Sequence, residues 1–91
     1  MRVLRVSLEG GEGRPVDGGD GTVWVLETVF RKPAAEAMTI MLHVHNAGVG
    51  VAGIYTRDVA ESKITTTERL AEQHEFPLRV TMEPEPEEPR R

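Results

Sequence analysis

The hydrophobic positions of this chain follow two periods, and the switches between them mark out its elements. Within residues 31–46, Ala37, Ile40, Met41 and Val44 recur at the i, i+3, i+4, i+7 spacing that sets them on one side of a helix. Pro33 suits the first helical turn, where its missing N–H costs nothing. Gly48 stands where a left-handed C-terminal cap is needed. Residues 22–30, TVWVLETVF, place Val23, Leu26, Val29 and Phe30 at helical spacing, although the β-branched content also suits a strand. A short helix with Asp20 or Thr22 as its N-cap is the expectation. Residues 57–73 predict a third helix that starts after Thr56, carries Asp58 in its first turn and buries Val59, Ala60, Ile64, Thr67, Leu70 and Ala71.

Shorter apolar runs read as strands. Residues 1–8, MRVLRVSL, form the first and Val49–Tyr55, VGVAGIY, the second, with Gly50 and Gly53 allowing close backbone approach. Residues 76–82 form the third, with Leu78, Val80 and Met82 on one face. The order β, α, α, β, α, β predicts an α+β fold: a two-layer sandwich of a three-stranded antiparallel sheet with three helices on one face. Residues 9–21 hold six of the nine glycines and read as a loop. Residues 83–91, EPEPEEPRR, combine repeated proline with like charges and read as a disordered tail, which leaves one domain over residues 1–82.

Composition narrows the function classes. A formal charge of −4 argues against non-specific nucleic-acid binding, which draws on clustered Lys and Arg. No Cys is present, so disulfides and thiolate metal sites are excluded. No apolar run approaches the roughly 20 residues of a membrane helix and no leader is evident, so a cytoplasmic chain without membrane contact is expected.

Candidate chemistry is sparse. On a helix His43 points about 200° round from His45, so the two do not share a metal, and a small enzyme or metal protein built on His43, His45 and His74 is disfavoured. GGEG and GGDG lack the Lys and the strand–helix setting of a phosphate loop. Neither catalysis nor a cofactor is expected. What remains is His45, one turn after Met41, at the edge of the apolar stripe. An imidazole there suits a ligand with an oily body and a polar head.

Residues 40–63, IMLHVHNAGVGVAGIYTRDVAESK, together with Leu70, Ala71 and HEFPLRVTME at the last strand, resemble the ClpS adaptor family. The resemblance covers roughly residues 25–83. It implies a small non-enzymatic α/β domain that docks on the N-terminal domain of a Clp-family AAA+ unfoldase. Such a domain delivers proteins whose first residue is Leu, Phe, Tyr or Trp. By position, Met41, Val44 and Leu78 correspond to residues lining the pocket for that first side chain, and Thr22 is counted with them. His45 corresponds to the histidine that contacts the substrate's α-amino group. Asp58 and Lys63 correspond to an acidic residue and a lysine on the surface that touches the unfoldase.

The chain also departs from the family. The Asn-Asp-Asp motif after the first strand and the Thr-Pro-Met-Glu-Phe-like helix start have no counterpart, and their positions fall in the Gly-rich loop. Asp17 and Asp20 are the carboxylates available there. Two binding functions therefore stand side by side: delivery of substrates with bulky apolar N-termini, or docking on the unfoldase without recognising them.

Overall fold

The computed structural model describes residues 2–10 and 21–85. Its elements are β1 (Leu4–Gly10), α1 (Thr22–Thr28), α2 (Ala34–Ala47), β2 (Val49–Tyr55), α3 (Arg57–His74) and β3 (Leu78–Pro84). This is the α+β order expected. The three strands form one antiparallel sheet with β1 in the centre, β2 on one side and β3 on the other.

The register explains the two faces of the sheet. Val6 pairs with Gly53 and Met82, and Leu8 with Gly50 and Val80. This inner face meets the helices: α2 packs on β2 and β1, α3 on all three strands, and α1 against α2. Val6, Leu8, Val25, Leu26, Ala37, Val44 and Ala60 are all buried in the resulting core. Between Val6 and Ser7 the register slips by one residue of β2, so Ser7 faces Val51. Such a bulge adds twist to an edge strand.

α2 begins and ends near the expected points. Pro33 sits one position earlier than a first-turn proline, as the N-cap at φ −61° and ψ 155°, where its carbonyl accepts the first helical bond from Ala37 N at 2.8 Å. Gly48 closes the helix at φ 88°, its N–H donating to the Val44 carbonyl, as a left-handed cap does.

Elsewhere local signals give way to tertiary ones. α1 is capped by Gly21 at φ 87°. Thr22 is instead its first, fully buried residue, and Asp20 lies outside the described residues. Thr56 takes the N-cap position of α3, but its side chain makes no capping bond. Val59, expected in the core, is 44% exposed. The stripe that reaches the core runs through Ala60, Ile64, Thr67 and Ala71, and Val59 stands about 100° away from it.

Both strand ends also differ. β1 continues through Glu9 and Gly10, so the described strand runs into the expected loop; residues 11–20 lie outside the described residues. β3 begins at Leu78 rather than residue 76 and includes Glu83 and Pro84, which were expected in the tail. Pairing with β1 outweighs their weak strand preference, and Pro84 is tolerated at the end of an edge strand. Arg5 holds this end, donating to Glu83 Oε1 at 2.9 Å and lying 3.3 Å from Glu85. Residues 86–91 of the expected tail lie outside the described residues.

Candidate functional site

The site residues read from the sequence fall into two groups. The first gathers around α2. Met41 and Val44 lie on its inner face, 6% and 1% exposed. β2 comes close to them because Gly50 has no side chain: a Cβ there would stand 2.7 Å from Val44 Cγ2. Leu78, at the start of β3, is half-buried and packs against the same core. His45 is exposed in the last turn of α2. Thr22 is fully buried at the start of α1.

The second group lies on α3. Asp58 is exposed in the first turn. Lys63 follows five residues later, about 140° round the helix, and turns inward instead. Its Nζ donates to the Val29 carbonyl at 2.8 Å and lies 5.8 Å from the Phe30 ring centre and 5.3 Å from that of Tyr55. Burial pushes the Tyr55 phenol above its ordinary pKa. The ammonium therefore sits over a neutral ring, in a cation–π arrangement that favours the charge. Lys63 thus clasps the end of α1 to α3 while belonging to the expected docking surface.

Sequence reasoning missed three features. Trp24, His74 and Phe76 form an aromatic cluster, with His74 stacked on Phe76 at 5.2 Å and Trp24 edge-on to both. A shallow apolar hollow of about 270 Å³ lies among Thr39, Ile40, His43 and Val51. A second hollow, of about 200 Å³, opens beside Lys63 and includes Arg31. Each unites residues from different elements, which the periodicity of any one element does not connect. Among the described residues no three His, Asp or Glu side chains converge as a metal site, and no helix is long and apolar enough to cross a membrane.

Comparison with known proteins decides the family. The family described as "ATP-dependent Clp protease adaptor protein ClpS" matches residues 19–81. The chain belongs to the ClpS family. It is 59% identical over 63 residues to the ClpS adapter protein of Myxococcus xanthus, covering 69% of this chain and 59% of that relative. With the ClpS adapter protein of Deinococcus radiodurans it shares 49% identity over 86 residues, 94% of this chain and 74% of the relative. The chain thus spans about three-fifths of the Myxococcus ClpS and three-quarters of the Deinococcus one. Among solved structures, Agrobacterium tumefaciens ClpS2 bound to L-phenylalaninamide superposes with a TM-score of 0.79 at 30% identity, covering 92% of this chain and 98% of that one. The ClpS fold is therefore shared across the described sheet and helices, and family members are adaptors of the Clp protease.

Proposed function

We propose that this chain docks on the N-terminal domain of a Clp-family unfoldase and delivers proteins that begin with a bulky hydrophobic residue, performing no catalysis itself. The observation that carries the reading is the likeness to a ClpS2 whose ligand, L-phenylalaninamide, joins a large apolar side chain to a free amine. His45, exposed one turn from the apolar Met41, has the chemistry to meet such an amine. Burying the apolar side chain contributes roughly 1.5–3 kcal/mol. The amine, with a pKa near 8 in free peptides, needs acceptors for its ammonium form. Acetylation removes that charge and leaves the acceptors unpaired, at roughly 1–3 kcal/mol each.

A second reading keeps the docking and drops the recognition. It is favoured by the lack of the family's Asn-Asp-Asp and by the depth at which Met41 and Val44 are packed, 6% and 1% exposed. A fluorescent peptide beginning with Phe and its acetylated twin separate the two. Tight binding of the free amine alone supports delivery; binding of neither, with docking retained, supports the second reading. His45→Ala is expected to weaken the free-amine peptide about tenfold, the loss of one charge-assisted hydrogen bond, while melting temperature and docking stay unchanged. Unchanged peptide affinity would take His45 out of the site.

A further inference from the structure

Among the described residues the sheet has two free edges, and they are guarded differently. An unpaired strand edge recruits further strands unless charge or proline blocks it. β3 carries Arg79, Glu83 and Pro84. β2, VGVAGIY, carries no charge and no proline. No Asp, Glu, Lys or Arg occurs anywhere between Glu36 and Arg57, so α2 beyond its first turn and all of β2 are free of formal charge. The chain as a whole is 29% charged, with acids in excess. Two copies therefore repel one another least where both present this segment.

The same segment leaves apolar side chains in solvent. The register sets Val49, Val51 and Ile54 opposite Glu9, Ser7 and Arg5, on the sheet face turned away from the helices. All three are exposed. Val51 also borders the shallow apolar hollow of about 270 Å³ together with Thr39, Ile40 and His43 of α2. No residue of β1 or β3 lines that hollow, so it runs along the outer margin of β2. The extra residue of β2, Ala52, lies opposite the Val6–Ser7 step and bends the strand there. The regular rungs before it, Val49–Val51, are the ones beside the hollow.

We propose that β2 pairs antiparallel with the β2 of a second copy of this chain, about a two-fold axis at Gly50, joining two three-stranded sheets into one of six strands. That axis sets Val49 of each copy opposite Val51 of the other on the outer face, and cross-strand pairs of β-branched side chains stabilise such a contact. A second copy fits because β2 is itself the uncharged, apolar, extended segment that its own edge accepts. A two-fold contact uses one patch twice and closes. The charged, proline-ended β3 then forms both outer edges of the larger sheet, which prevents further addition. Pairing over so few rungs buries less than the roughly 1,200 Å² at the lower end of stable interfaces, so a dissociation constant on the order of 100 µM is expected. The inference is independent of N-terminal recognition and of unfoldase docking.

Sedimentation equilibrium of the full chain over about 10–1,000 µM is expected to show a reversible monomer–dimer equilibrium, set by mass action. Val51→Lys puts a cation on the edge of both copies and is expected to weaken dimerisation at least about tenfold. Val51→Thr, uncharged and β-branched, should keep most of it. Thr81→Lys, at an exposed position of β3, should leave it unchanged. The two lysine variants lower the net negative charge equally, so a loss confined to Val51→Lys comes from the β2 edge. All variants should melt at the same temperature when dilute enough to be monomeric. A chain that stays monomeric throughout overturns the proposal and leaves the edge to a different polypeptide. A dimer that survives Val51→Lys, or is weakened equally by Thr81→Lys, overturns it as well.

Discussion

Leu26→Ala is expected to lower the unfolding free energy by about 3 kcal/mol, the middle of the range for emptying a fully buried Leu site. Leu26 is fully buried in the core, and its backbone carbonyl also receives the Lys32 N–H that closes α1. A short helix cannot close the space from within, because α1 has seven residues and depends on packing more than on its own hydrogen bonds. For a domain of this size the loss corresponds to a fall of roughly 12–24 °C in Tm. Thermal unfolding followed by far-ultraviolet circular dichroism checks it. A fall under about 5 °C would mean that α1 collapses onto the sheet without cost.

Gly21→Ala carries the second large effect, through two additive causes. Gly21 has φ 87°, where an L side chain costs about 1 kcal/mol or more. A Cβ there would also stand 2.5–2.6 Å from three atoms of the Phe76 ring. The ring would have to leave its stack on His74 and its edge contact with Trp24. A combined loss of about 2–3 kcal/mol is expected, the strain joined by an aromatic contact of roughly 0.5–1.5 kcal/mol. Trp24 is the single tryptophan of the chain, so its emission spectrum reports the displacement directly. An unchanged spectrum together with an unchanged Tm would refute both causes.

The elements with strong periodic patterns were legible from the sequence. α2 could be read from Ala37, Met41 and Val44, and its end from Gly48, because one residue type there satisfies one backbone need. α3 was placed well, but Val59 was assigned to the wrong side, since a lone apolar residue next to Ala60 does not reveal which of the two continues the stripe. The sheet ends were misread for a different reason. Glu83 and Pro84 look like tail to any local rule, and only their cross-strand partners Arg5 and Leu4 make them strand.

The same division runs through the candidate site. His45 could be named from its place one turn after Met41, whereas Met41 and Val44 read as core from their spacing and entered the site through the resemblance. How closely β2 packs on Val44 depends on Gly50. Lys63 could be named from resemblance alone, whereas its bond to Val29 joins residues 34 positions apart. Arg31 left no trace at all: its left-handed backbone and its place beside Lys63 exist only once α1 and α3 have met.

The ties made by Arg5 decide where the molecule can be trimmed. A cut at the apparent border of the proline-rich stretch, after Met82, would strip the central strand's guanidinium of both its counter-ions and unzip the last rungs of β3. Each exposed ion pair contributes only about 0.2–1 kcal/mol, but the lost rungs add to that in a small domain with little stability in reserve. A shortened version should therefore end no earlier than Glu85, whose N–H still reaches back to the Val3 carbonyl at 3.1 Å.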